Sequence, residues 1–227
     1  MCGIVGLHLR DPELYPQLGT LLEAMLIEMT DRGPDSAGIA IYSDDKGLSV
    51  HKGIGLPADV ARGCDLASAD GWQGLGHTRM ATESAVTVEG CHPFSVGPDQ
   101  CLVHNGSFSN HATIRRDLRD AGITCDSEND SEVGARFVAH RLAQGEDLEK
   151  ALIGLCEAFD GFYTLLVTSG DGFAVVRDAI ACKPAVIAET PRWVAMASEY
   201  RALAGLPGID GARIFEPEPG RVYAWTR

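Results

Sequence analysis

The first apolar run, residues 2–9 (CGIVGLHL), is β-prone and predicts a strand beginning almost at the terminus. Leu18, Leu21, Leu22, Met25, Leu26 and Met29 then recur at spacings of three and four, one face of an amphipathic helix. That face reads as core. Asp31-Arg32-Gly33-Pro34-Asp35 breaks the helix and predicts a loop. Strand-like runs follow at 37–42, 48–52, 75–80 and 101–104. The central third is mostly helical. Ser109 or Asn110 is a candidate cap for a helix through Leu118 and Ala121, ended by Gly122. Val133, Phe137, Val138 and Leu142 give helical spacing over 130–142, and 148–159 reads as another helix. Strands return at 162–168, 173–177, 185–188, 193–197 and 221–225.

Strands, then helices, then strands do not fit the regular alternation of a doubly wound sheet. Two mainly antiparallel sheets packed together, with helices on their outer faces, would use every element. The expectation is an α+β fold in a single domain spanning residues 1–227. No repeat, low-complexity tract or linker interrupts it.

Charge narrows the partners. With 19 Lys and Arg against 32 Asp and Glu, the formal net charge is −13. Such a chain repels phosphate backbones and anionic lipid, so neither nucleic acid nor membrane is expected as a partner. No apolar stretch approaches the ~20 residues that span a bilayer, and the N-terminus has no signal-peptide pattern. The seven cysteines are odd in number and form no CxxC pair. A disulfide framework and a cysteine-rich zinc site are therefore not expected, and the cytoplasm is the expected compartment.

One cysteine carries a chemical possibility. A thiol has a pKa of ~8.5 and an α-amine one of ~7.7–8.0. If Met1 is removed, which the small side chain of Cys2 should permit, Cys2 holds nucleophile and base on one residue. The plain alternative is a buried strand cysteine. Acyl transfer also needs donors for an oxyanion. Asn105-Gly106 closes a strand with a side-chain NH2 and a backbone N–H open to close approach. The same dipeptide also makes an ordinary turn. An amino-acid amide presents an α-carboxylate and an α-ammonium, which an arginine and an aspartate would match. Arg79, ending a strand, and Asp130, opening a helix, are candidates. Alone, they read equally as a surface charge and a helix cap.

Taken together, the motifs resemble the class II glutamine amidotransferase domain of the N-terminal nucleophile hydrolases. The resemblance runs from Met1 to about Ala202. It is carried by Met1-Cys2-Gly3-Ile4-Val5-Gly6 and by Arg32-Gly33-Pro34-Asp35-Ser36-Ala37-Gly38. A GHxRxxT segment at 76–82, His92-Pro93-Phe94, His104-Asn105-Gly106 and Asp130-Ser131-Glu132 follow in family order. Asp160-Gly161-Phe162-Tyr163, Arg177-Asp178 and Ala197-Ser198-Glu199 complete it. Three places depart from the pattern: Asp31 stands where many relatives have histidine, Met80-Ala81 replaces an aromatic-Ser pair, and no acidic residue follows His104-Asn105-Gly106 closely.

The resemblance implies a four-layer α/β/β/α sandwich. It implies Cys2 as nucleophile, Asn105 and Gly106 as the oxyanion hole, and Arg32 as the group orienting the N-terminus. It assigns Arg79 to the substrate carboxylate, Asp130 to the substrate ammonium, and Thr82 and His92 to the pocket wall. Glutamine is the implied substrate, and no metal or organic cofactor is expected in this chain. No phosphosugar-binding, ATP-binding or flavin domain follows, so the ammonia acceptor is expected on a separate synthase subunit within a hetero-oligomer. The sequence His77-Thr78-Arg79-Met80-Ala81-Thr82-Glu83-Ser84 is most similar to stand-alone subunits of glutamate synthase-like complexes, including N-methylglutamate synthase. That similarity implies FMN on a partner subunit. Two other readings stay open: an inactive amidotransferase fold that binds glutamine or glutamate or scaffolds a complex, and a free-standing amide hydrolase.

Overall fold

The computed structural model describes residues 2–80 and 87–227. The chain falls into two compact units. The first comprises Met1–Pro93 and Pro184–Glu216, the second Phe94–Lys183 and Pro217–Arg227.

The first unit is built on a seven-stranded sheet. In chain order its strands are β1 (Gly3–Leu9), β2 (Ser36–Ser43), β3 (Gly47–Ile54), β4 (Gln73–Arg79), β9 (Val186–Glu189), β10 (Trp193–Ala197) and β11 (Arg213–Phe215). Their order across the sheet is β11-β9-β10-β1-β4-β2-β3, with antiparallel neighbours throughout. Helix α1 (Leu18–Ile27) lays Leu18, Leu22, Met25 and Leu26 against Val5, Leu7, Ile39 and Ile41 of the sheet. These are the helical positions the spacing singles out, and burying them against a strand face stabilises both elements. A short second helix, α2 (Pro57–Gly63), starts with proline at its first turn and buries Ala61. That small apolar content is why the pattern did not predict it.

The second unit holds a five-stranded antiparallel sheet ordered β12-β8-β7-β6-β5. These are β5 (Phe94–Val96), β6 (Gln100–Phe108), β7 (Gly161–Thr168), β8 (Gly172–Arg177) and β12 (Val222–Thr226). Helices α3 (His111–Asp120), α4 (Asp130–Ala143) and α5 (Leu148–Ala158) pack onto it. Val133, Val138, Leu152 and Leu155 meet Phe108, Tyr163 and Leu165 in one buried cluster. The strands β5 and β11 were not predicted, for each has only three residues, too few to establish a period of two.

The expected capping of α3 needs correction. Asn110 occupies the cap position but makes no side-chain cap bond. Its amide instead donates to the Ala158 carbonyl at 2.9 Å and accepts from the Asp160 N–H at 3.0 Å, tying α3 to the turn after α5. A long-range pair outcompetes the local one here. No helix among the described residues is long and apolar enough to cross a membrane.

Candidate active site

In the first unit the alternation of the strands sorts the site residues. Val5, Leu7, Ile39 and Ile41 lie in the cluster with α1. Their strand neighbours Ile4, Ser36 and Gly38 therefore face away from α1, since successive side chains alternate. His77 pairs with Ile4 and Gly38, and Arg79 with Ser36, so both join that opposite face. Cys2 stands one residue before β1, whose first pair is Gly3 with Thr78. Cys2 and Arg79 thus mark the same end of the sheet.

The backbone of Cys2 is held by a buried cation. Arg32 Nε donates to the Cys2 carbonyl at 2.9 Å, and Arg32 Nη1 reaches Glu199 Oε1 at 2.7 Å. Glu199 also pairs with Arg201 at 2.9 Å, and Arg201 with Asp31 at 3.3 Å. The hydrogen bond from Arg32 holds the Glu199 carboxyl below its ordinary range, although partial burial opposes it. Ser198 ties the next turn of chain: its hydroxyl accepts the Ile4 N–H at 2.9 Å, and its own N–H donates to the Ile4 carbonyl at 2.9 Å. The segment that follows residue 2 is therefore fixed from two sides by the Ala197-Ser198-Glu199 stretch.

His92 is buried and stacks on His77, with ring centroids 4.1 Å apart. The approach depends on Gly38, because a Cβ there would lie 1.9 Å from the His92 carbonyl oxygen. A glycine in mid-strand gives up packing but admits a second backbone. Arg79 is buried near the same end. Thr82, expected in the pocket wall, lies outside the described residues.

In the second unit Asn105 and Gly106 lie in β6 rather than in a turn. Asn105 pairs with Thr164 and Gly106 with Tyr163. Gly106 has φ +148°, and a Cβ on it would meet the Phe162 carbonyl oxygen at 2.0 Å. Only glycine fits, and the twist distorts the strand at the residue whose N–H is the candidate donor. Asn105 is buried.

Asp130 is the first residue of α4, not its cap, which is Asn129 accepting the Ser131 N–H at 2.9 Å. The Asp130 carboxylate accepts the Phe108 N–H at 2.8 Å through Oδ2. The end of β6 and the start of α4 are thereby locked together. Glu132, matched by the same motif, accepts from the N–H groups of Asp126 and Ser127, each at 2.7 Å. Burial pushes its pKa up, but the Ser127 hydroxyl, these two N–H groups and Arg136, all donating to it, outweigh burial and the net shift is downward. Its part is to shape the loop before α4. Among the described residues no group of three or more His, Cys, Asp or Glu could hold a metal ion.

The structure thus gathers Cys2, Arg32, Arg79 and His92 in the first unit, and Asn105, Gly106 and Asp130 in the second. Sequence reasoning missed Glu199 as the partner of Arg32, and His104 and Ser131 as neighbours of Asp130. The motif matches at Ala197-Ser198-Glu199 and Asp130-Ser131-Glu132 were the available signal.

This chain belongs to the class II glutamine amidotransferases: the family model described as a glutamine amidotransferase domain matches residues 77–205. It is 45% identical to the glutamine amidotransferase-like protein GlxB of Rhizobium meliloti, covering 99% of this chain and 98% of GlxB. It is also 32% identical to the amidophosphoribosyltransferase of Methanocaldococcus jannaschii, covering 98% of this chain. The chain spans about half the length of that relative, 46%. Among solved structures, the glutamine phosphoribosylpyrophosphate amidotransferase of B. subtilis superposes with a TM-score of 0.81 at 24% identity, over 98% of this chain and 47% of that one. This likeness shows the N-terminal nucleophile hydrolase fold, with its two antiparallel sheets, as the sequence motifs implied.

Proposed function

We propose that this chain is a glutaminase subunit that releases ammonia from the side chain of glutamine and supplies it to a separate synthase. The observation that carries the reading is the clamp on residue 2. A buried arginine paired with a carboxylate holds the Cys2 carbonyl at 2.9 Å. A strand cysteine without a special role has no need of such a clamp. A nucleophile whose own α-amine serves as base does, because both groups must be held against the substrate.

In this reading the α-amine of Cys2, exposed by loss of Met1, accepts the thiol proton. The thiolate adds to the amide carbon, and the amide C=O becomes an oxyanion received by the Asn105 side chain and the Gly106 N–H. Collapse breaks the C–N bond. The amine's proton goes to the departing nitrogen, which leaves as ammonia, and a γ-glutamyl thioester remains on Cys2. Water then cleaves the thioester to glutamate and restores the thiol. Arg79 binds the substrate carboxylate and Asp130 its ammonium, with Thr82 and His92 in the wall. The synthase partner is glutamate synthase-like, with N-methylglutamate synthase as the particular candidate, and carries FMN.

The test is direct. The intact mass of the purified protein should lack the mass of Met1. Cys2→Ala should lose glutamine hydrolysis and labelling by an electrophilic glutamine analogue such as 6-diazo-5-oxonorleucine. Hydrolysis that survives in Cys2→Ala, or in protein retaining Met1, refutes the mechanism. Glutamine binding without any hydrolysis by the processed wild type would instead favour a binding subunit.

A further inference from the structure

Asp130 does not stand by itself in the second unit. His104 lies one residue before Asn105 on β6, and alternation sends it to the opposite face of the strand, toward α4. There it is buried and stacks on Phe108 with centroids 4.4 Å apart. Its Nδ1 lies 2.8 Å from Ser131 Oγ. The Ser131 hydroxyl lies 3.3 Å from Asp130 Oδ1 and donates to it. The other carboxylate oxygen of Asp130 takes the Phe108 N–H at 2.8 Å. Ser131 is pinned in turn by its own N–H, donated to Asn129 Oδ1 at 2.9 Å. The carboxylate is thus held at both oxygens, one by backbone and one by a side-chain chain that begins at His104.

We propose that Ser131 and His104 are positioning residues that orient the Asp130 carboxylate toward the α-ammonium of glutamine, and so set the preference for an α-amino acid amide over an amide lacking that ammonium. The proposal rests on the reading of Asp130 as the ammonium-binding residue. Direction follows from proton count. With its hydroxyl proton given to Asp130, Ser131 Oγ can only accept from His104, which places the imidazole proton on Nδ1. Burial lowers the His104 pKa to about 4, outweighing the neighbouring Asp130, which raises it. The ring is therefore neutral near pH 7. An imidazolium at that distance would offset the negative charge on which ammonium binding depends; a neutral donor orients the carboxylate without cancelling it.

The measurement compares two substrates on the active complex: glutamine, and glutaramic acid, the monoamide of glutaric acid, which has hydrogen in place of the α-ammonium. Ser131→Ala should raise KM for glutamine about 3- to 10-fold, the worth of one hydrogen bond, by more than any fall in kcat. It should leave kcat/KM for the monoamide near the wild-type value, narrowing discrimination by the same factor. Ser131→Thr, which restores the hydroxyl, should restore discrimination. A residue with only a structural role would depress both substrates alike. If Ser131→Ala does not fold, His104→Leu is read in the same way against His104→Asn, which keeps a donor near the Nδ1 position. Full discrimination in Ser131→Ala alongside its loss in Asp130→Asn overturns the proposal and leaves the role of Asp130 intact. Full discrimination in Asp130→Asn removes that role, and the proposal with it.

Discussion

At Gly106 the strand tolerates no side chain, with φ at +148° and a prospective Cβ 2.0 Å from a carbonyl oxygen. Gly106→Ala should therefore cost several kcal/mol of stability, because clash and strain add. Urea unfolding would show it as a lowered midpoint, and an unchanged midpoint would mean the backbone relaxes freely. Asn105→Ala carries no such strain. It should leave KM for glutamine near normal and lower kcat about 100- to 1000-fold if the amide is an oxyanion donor. His104 supplies a pH dependence. Its folded pKa of about 4 lies below its ordinary 6.5, because burial disfavours the charged ring. Between these values the unfolded chain binds more protons, so stability falls as pH drops from about 6.5 to about 4 and is present in full above that window. The shift is worth on the order of 3 kcal/mol. His104→Asn should flatten this acid limb in unfolding titrations. Asn105, Gly106 and Asp130 became candidates through the motifs that contain them, since taken locally the first two read equally as a turn and the third as a helix cap. The pairing of Arg32 with Glu199 was not legible in the sequence, since the two lie 167 residues apart and no periodicity connects them.

At the scale of elements, periodicity located whatever was long enough to repeat. Helix α1 and strands β1, β2 and β10 lie where apolar spacing put them, since each buries a whole face. Three-residue strands and a helix with one buried alanine leave no such trace. Element ends were decided by particular side chains. Glu132 shows this at α4: it is 4% exposed and receives two backbone N–H groups from the loop before the helix. Glu132→Ala should leave both N–H groups, in a loop that is only partly buried, without their acceptor and destabilise the protein by about 1–2 kcal/mol. Loss of order in residues 126–129 would loosen Asp130 as well, so KM for glutamine should rise. Hydrogen exchange at the Asp126 and Ser127 amides reads the first effect; protection equal to wild type would assign the loop's order to something else.

For the whole molecule, charge and chemistry bear on the proposed synthase partner. Ammonia set free in water at neutral pH is mostly protonated and no longer a nucleophile, so delivery to an acceptor gains from a closed route and a high local concentration. A chain of net charge −13 meets such a partner most readily on a basic surface. Complementary charge would speed encounter, and salt would slow it as the Debye length shortens. The isolated subunit should then hydrolyse glutamine slowly, and addition of the synthase should raise the rate through loop closure over bound substrate. Raising salt from about 0.05 M to about 0.5 M should weaken that stimulation by slowing association, while leaving the basal rate of the isolated chain nearly unchanged. Copurification from the native host, followed by size-exclusion chromatography and mass spectrometry, identifies the partner on which to make the measurement. Full activity in the isolated monomer, with no copurifying chain and no response to candidate synthase subunits, would reject a delivery role and leave a free-standing amide hydrolase.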